Sequence, residues 1–316
     1  MIRYRPFLNS DPPALAAIWR CQPPMRRLLP GMTPFALERY VLAHLYFDRR
    51  GLIVAEDDDG IPIGFAHAGF GPTDDHSRIG TEHGITCMVM VEPREGSEGI
   101  ARELIERSES YLRDCGAKRL HAGGIEGVNP FYHGVYGGTL SPGVLASHAA
   151  LLEPLEAAGY RRTGSYLVME LPMISFRAPA DRRLMEHRRG YEIDAMWDPK
   201  PASWWDACVW GEFDRTRFTL RPRRSSDACA RVDYWHIEPL ASSWGVRAAG
   251  LVELSVDESL RRQGLATYFV IETMRRMRDH GVHLIETQVP ADNEAAVGTF
   301  RRIGFEVVDE ALLLEK

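Results

Sequence analysis

The chain has 316 residues, enough for two ordinary domains, and its 45% hydrophobic and 26% charged residues are those of a globular protein in water. A formal net charge of −6 argues against nucleic acid or an anionic membrane surface as the main partner. The five cysteines (Cys21, Cys87, Cys115, Cys208, Cys229) are odd in number, scattered and free of any Cys-x-x-Cys pair, which favours reduced thiols in a cytoplasmic protein and argues against a zinc site.

Met1-Ile2-Arg3-Tyr4-Arg5 carries no apolar signal region, and no run is long enough to span a membrane. Residues 2–6 read as a strand. Asn9-Ser10-Asp11 then offers helix caps, with Pro12 and Pro13 tolerated in the first turn and Leu15, Ile18 and Trp19 on one face. A second helical segment is expected at 34–47. Residues 51–56 form a strand, Asp57-Asp58-Asp59-Gly60 a hairpin turn, and 61–70 the returning strand. The acidic run at the turn reads as a solvated tip, because no further metal ligands follow at loop spacing. A strand at 89–91 leads through Gly96-Ser97-Glu98-Gly99-Ile100-Ala101 into a helix that ends at Asp114-Cys115-Gly116.

The segment 129–147 is rich in glycine and tyrosine and reads as an ordered loop, either functional or a lid or interface piece. Residues 173–190 read as a linker with a basic cluster at Arg182, Arg183, Arg188 and Arg189. A strand at 191–196, a helix at 204–210 and strands at 218–221 and 230–238 follow. Six of the seven tryptophans (Trp197, Trp204, Trp205, Trp210, Trp235, Trp244) lie here, as packing residues or as an aromatic acceptor pocket.

Next come a strand at 250–256, a polar turn at 257–260 and the stretch Arg261-Arg262-Gln263-Gly264-Leu265-Ala266. A helix follows, with Ala266, Val270, Met274 and Met277 on one face, ending at Asp279-His280-Gly281. A strand at 284–289 completes the unit. Gly264 lets the backbone approach a ligand closely. The first N–H groups of the helix and its dipole favour an anion in the turn. Arg261 and Arg262 add charge suited to phosphate oxygens. The chain has no P-loop motif and no Gly-x-Gly-x-x-Gly after a strand, so the turn belongs to neither of those nucleotide folds.

The same strand, turn and helix occur earlier. Gly99 and Gly264 lie 165 apart (264 − 99), and so do Val91 and Val256, Ala101 and Ala266, Asp114 and Asp279, and Gly116 and Gly281. Gly159-Tyr160 answers Gly304-Phe305 at a smaller offset of 145 (304 − 159), so the segment at 129–147 is extra to the first copy. At the offset of 165 the first copy replaces Arg261, Arg262 and Gln263 by Gly96, Ser97 and Glu98. A carboxylate beside an anion site weakens phosphate binding.

Arg261-x-x-Gly264-x-Ala266 after a strand resembles the pyrophosphate motif of the GNAT acyl-CoA N-acyltransferases. Asn293-x-x-Ala296-x-x-x-Phe300-x-x-x-Gly304-Phe305 is similar to the family's later helix-and-strand motif. With the repeat, the resemblance implies two GNAT-like domains in tandem, a layout also found in enzymes such as mycothiol synthase. Each is an α/β (layered α+β) fold, a mixed, largely antiparallel twisted sheet flanked by helices. The expected division is 1–172 for a degenerate copy, 173–190 for the linker and 191–316 for the working copy.

The resemblance further implies acetyl-CoA as acyl donor and no metal. It assigns the donor to Leu254, Ser255, Val256, Arg261, Arg262, Gln263, Gly264, Leu265, Ala266, Asn293 and Phe300. A strand N–H would polarise the thioester carbonyl. The candidates for a base that deprotonates the amine are Glu253, His236 and Glu238. Glu253 has Met88 as its counterpart in the first copy. The family's general-acid tyrosine aligns with Phe300, which cannot protonate a thiolate. The expected function is acetyl transfer to a small-molecule amine by direct attack. A silent acyl-CoA-binding sensor and a protein-modifying acetyltransferase are the alternatives, and a homodimer stays open.

Overall fold

The computed structural model describes residues 1–125, 130–140, 142–179 and 181–316. In chain order it contains β1 (Arg3–Pro6), α1 (Pro12–Arg20), α2 (Pro34–Leu37) continuing as a π-helical turn (Glu38–Leu42), β2 (Leu52–Glu56), β3 (Pro62–Pro72), β4 (Ile79–Val91), α3 (Ser97–Asp114), β5 (Arg119–Ala122), β6 (Val144–Leu145), α4 (Ala149–Ala157) and β7 (Arg161–Pro172). It continues with α5 (Arg182–Gly190), β8 (Tyr191–Trp197), α6 (Trp204–Trp210), β9 (Arg215–Pro222), β10 (Ala230–His236), α7 (Glu238–Trp244), β11 (Ala248–Val256), a 3-10 turn (Glu258–Leu260), α8 (Leu265–Asp279), β12 (Leu284–Pro290), α9 (Glu294–Ile303) and β13 (Glu306–Glu315).

Two compact units form. The first comprises residues 1–166, 202–211 and 309–316, the second 167–201 and 212–308. Compactness therefore does not follow the sequence division at 172 and 191. The last residues of β13 and all of α6 fold with the first unit, and the end of β7 and α5 fold with the second. The segment expected as linker holds α5, capped where the Asp181 carboxylate accepts the Arg183 N–H at 2.8 Å.

The strand orders of the two units have one plan. In the first unit the order is β1-β2-β3-β4-β5 and then β13. Neighbours are antiparallel except β4 and β5, which run parallel. In the second unit the order is β8-β9-β10-β11-β12 and then the end of β7, again with one parallel step, β11 to β12. A parallel step needs a crossover, and α3 and α8 supply it. Each unit thus takes its last strand from the other half of the sequence.

In the second unit α8 buries Leu265, Phe269, Val270, Met274 and Met277 against Val232 and Tyr234 of β10, Ala249 and Leu251 of β11, and Ile285 and Val289 of β12. Phe269 is fully buried. Phe269→Ala should cost about 3–5 kcal/mol, the usual cost of emptying an aromatic core site. Equilibrium denaturation would read it as a lower midpoint with an unchanged slope.

Several elements differ from the sequence reading. β4 starts at Ile79 rather than near 89. Its residues 84–90 are buried throughout, so no polar alternation marks them. The helix expected at 34–47 stops at 42. β10 ends at His236 rather than at 238, because Pro239 stands in the first turn of α7. Within the extra segment, Asn129 and Ser141 lie outside the described residues. Its described part is core rather than a lid: Phe131, Tyr132, Val135 and Tyr136 are at most 2% exposed. The Leu29 N–H donates to Val135 O at 2.9 Å and the Gly137 N–H to Arg27 O at 2.9 Å. Among the tryptophans, Trp205 and Trp235 are buried, while Trp197 is exposed.

Candidate functional site

The site in the second unit starts where two parallel strands part. β11 and β12 pair from Ala248 opposite Leu284 to Leu251 opposite Thr287. Beyond that rung β11 continues to Val256 and β12 to Pro290, unpaired with each other. The Thr287 hydroxyl donates to Leu251 O at 3.1 Å and so ends the ladder. On the other side of β11, Asp233 of β10 faces Val252, but Arg231 faces Ser255. β11 carries one extra residue there, which is a β-bulge. Glu253 sits in it with φ +53°. Left-handed backbone in a residue other than glycine is strained, and such strain collects at functional sites. The parted strands leave backbone donors and acceptors on facing edges, which suits an extended amide-bearing ligand laid between them as an added strand.

The turn after β11 has a backbone geometry that suits an anion. Asp257 N–H ties it to Cys229 O at 2.9 Å. Arg262 (φ +61°) and Gly264 (φ +81°) are both left-handed. Gly264 is the N-cap of α8, and the Tyr268 N–H makes the first helical bond, to Gly264 O, at 3.0 Å. The N–H groups of Leu265, Ala266 and Thr267 therefore precede the helical ladder and face the turn. Arg261 and Arg262 are exposed. Arg261 reaches back to Val256 O at 3.1 Å and to Glu258 at 3.3 Å. Gln263 Nε2 donates to Ser259 O at 3.2 Å.

The other site residues fall into separate places. Leu254 and Val256 are half-buried against the core, and Ser255 is exposed. Asn293 caps α9 by accepting the Ala296 N–H at 3.1 Å. Phe300 is 3% exposed and packs edge-on against Phe305 at 5.2 Å, so it belongs to the core. The Glu253 carboxylate is about half exposed and pairs with Arg231 at 2.8 Å. His236 lies opposite Ala249, four residues back along β11, about 13 Å away at the rise of a strand. Burial, then the Arg247 cation, holds its imidazole below the usual range. Glu238 is the exposed first residue of α7. The three candidate bases therefore do not converge. Glu253 alone is at the bulge.

Sequence reasoning passed over His187. It lies on α5, inside the expected linker, and its Nε2–H donates to Gln263 O in the turn before α8 at 3.0 Å. Its ring also packs on Tyr268 at 5.6 Å. The signal was available in the Asp181 cap and in the Arg182–Glu186 pair one turn apart. A second omission is the buried Asp233, held by Arg215 at 2.9 Å and by Arg217 at 2.7 Å. A charge in an apolar strand run marks such a network.

The first unit repeats the frame without the turn. β4 and β5 pair from His83 opposite Arg119 to Thr86 opposite Ala122, and β4 then continues to Val91. β4 is bulged near Cys87, where His67 faces Met88 and Ala68 faces Thr86. A cleft of about 640 Å³ lies beside it, lined in part by Val89, Val91, Ser97, Glu98, Arg102 and Glu153. The ends of the repeat agree: α3 and α8 finish at Asp114 and Asp279, and Gly116 (φ +103°) and Gly281 (φ +84°) follow. The turns do not. The left-handed N-cap of α3 is Gly96 (φ +79°), and Gly99 lies inside the first helical turn. By backbone geometry the partner of Gly264 is Gly96, at an offset of 168 (264 − 96). The Gly99 and Ile100 N–H groups are bonded to Gly96 O at 3.1 and 3.3 Å. The Ile100 bond answers that of Tyr268 to Gly264, but of the three N–H groups that answer Leu265, Ala266 and Thr267, Ser97 donates to Arg94 O at 3.2 Å and Gly99 to Gly96 O, and the Glu98 carboxylate lines the cleft.

Among the described residues no group of three or more His, Cys, Asp or Glu side chains is placed to hold a metal ion, and no helix is long and apolar enough to cross a membrane.

The sequence profile of the Acetyltransferase (GNAT) family matches residues 14–136 and 186–305. No curated protein sequence matches the chain. Among solved structures, a tandem GNAT protein from the clavulanic acid biosynthesis pathway is 14% identical with a TM-score of 0.66, covering 100% of this chain and 98% of that one. A GCN5-related N-acetyltransferase from Sphaerobacter thermophilus is 16% identical with a TM-score of 0.62, covering 100% and 95%. A fungal multi-domain GH3 β-N-acetylglucosaminidase with a GCN5-related glucosamine N-acetyltransferase region is 13% identical with a TM-score of 0.68, and this chain spans 38% of its length. At such identities the likeness concerns the fold. With the profile matching both halves, the chain belongs to the GNAT family of acyltransferases and carries its fold twice.

Proposed function

We propose that the second unit transfers an acetyl group from acetyl-CoA to the amine of a small molecule. The observation that supports this most is the parting of β11 and β12 beside the bulge at Glu253, with the anion turn directly after β11. The donor's pantetheine arm fits as an added strand between the two. Its pyrophosphate fits the N–H groups from Gln263 to Ala266. The Leu254 N–H, just past the bulge, is the donor we assign to the thioester oxygen. Glu253 takes the proton that the amine gives up as it attacks. A C–N bond forms, the C–S bond breaks, and the thiolate takes a proton from water, since Phe300 has none to give. The five free cysteines support a reducing, cytoplasmic setting.

A second reading is a module that binds acyl-CoA without turnover. Two observations favour it: Phe300 is buried and has no hydroxyl, and Glu253 is engaged by Arg231. One experiment separates the two. The protein is incubated with acetyl-CoA and a panel of small amines, and free thiol is measured. Amine-dependent thiol release supports the transferase. Tight acetyl-CoA binding with no release above the amine-free rate supports the module.

A further inference from the structure

α5 is docked against the phosphate turn. Its Leu184 packs on the core of the second unit. His187 holds the Gln263 carbonyl at 3.0 Å, and its Nε2 lies 3.9 Å from where a Cβ on Gly264 would be. Arg183 stands one turn before His187 on the same helix face. Arg188 is close enough for its charge to act on the Tyr268 hydroxyl. Tyr268 lies in the first turn of α8.

The charges on α5 differ in their commitments. Arg182 is paired with Glu186 at 3.0 Å. Arg183 and Arg188 are exposed and have no carboxylate partner among the described residues. Elsewhere in the unit, Arg221 and Arg223 share Glu192, and Arg231 has Glu253. Three uncommitted arginines, counting Arg189, thus stand on a helix whose anchor is the phosphate turn itself, and Arg183 and Arg188 are the two placed beside His187 and Tyr268.

The acyl donor has more charge than the turn answers. The turn's N–H groups with Arg261 and Arg262 suit a pyrophosphate. Coenzyme A also carries a 3′-phosphate, a monoester with a charge of about −1.5 to −2 at neutral pH. We infer that α5 is the second half of the donor site, with Arg183 and Arg188 binding the 3′-phosphate while His187 locks the helix to the turn. This rests on the acyl-CoA reading of the second unit. It makes the segment between the two copies part of the binding site rather than a connector.

The test compares coenzyme A with dephospho-coenzyme A, which lacks only the 3′-phosphate, by calorimetry. The proteins are the parent, the Arg183→Ala/Arg188→Ala variant and, as a control for lost charge, Lys118→Ala in the first unit. All three positions are exposed, so the variants keep the fold. The parent should prefer coenzyme A. The double variant should bind coenzyme A about 10- to 100-fold more weakly, the range expected for lost hydrogen bonds to a charged group, and dephospho-coenzyme A nearly as the parent does. The loss should shrink in high salt. Unchanged coenzyme A affinity in the double variant overturns the inference, as does an equal loss for both ligands. A parent that binds neither ligand overturns the acyl-CoA reading beneath it, which is a different result.

Discussion

Replacing Glu253 by glutamine lowers kcat by about 10²–10⁴, the usual contribution of a positioned base, and leaves coenzyme A binding nearly intact. The two carboxamide and carboxylate groups have the same shape, so the bulge and the Leu254 N–H stay in place. Only the capacity to take a proton is lost. The ion pair with Arg231 at 2.8 Å makes the outcome informative. If the pair merely braces two exposed side chains on adjacent strands, it is worth little and the variant keeps full turnover. If Glu253 works as the base, Arg231 fixes where its oxygen points, and Arg231→Ala should also slow turnover, by less. Steady-state kinetics with an accepted amine decides it. Full turnover by Glu253→Gln at neutral pH removes Glu253 from the chemistry and returns attention to His236, which burial already keeps neutral near pH 7.

Arg261→Ala weakens coenzyme A binding by about 1.5–3 kcal/mol, the worth of a hydrogen bond to a charged group. In the free protein Arg261 rests on Val256 O and Glu258, both at the edge of the turn. Those contacts are exposed and cheap to exchange for a phosphate. Calorimetry reads the change directly. An unchanged Kd would leave the turn's N–H groups and Arg262 as the whole anion site.

How far the sequence revealed this depends on whether a feature is local. The turn at Arg261-Arg262-Gln263-Gly264, the face of α8 and the glycine stops at Gly116 and Gly281 are set by neighbours in sequence, and they were legible. Strand pairing is not local. Nothing near Glu306 shows that residues 309–316 fold with the first unit, or that the end of β7 folds with the second. The bulge needs β10 as its reference, so Glu253 could be placed on a strand but not at an irregularity. The Gly99 alignment also has a local limit. Sequence spacing matched it to Gly264, yet the backbone there closes into helix, and Gly96 takes the left-handed role. α5 was hidden by its charge, because it has no buried residue of its own and so no apolar stripe to read.

The central claim is that the second unit, and not the first, holds the acyl donor between β11, β12 and the turn before α8. Amide hydrogen exchange with and without acetyl-CoA tests it most directly, since the free N–H groups there are the proposed contacts. The prediction is slowed exchange at residues 252–267, with residues 94–102 of the first unit unchanged. Protection confined to residues 94–102, or none at 252–267 under saturating acetyl-CoA, would contradict it.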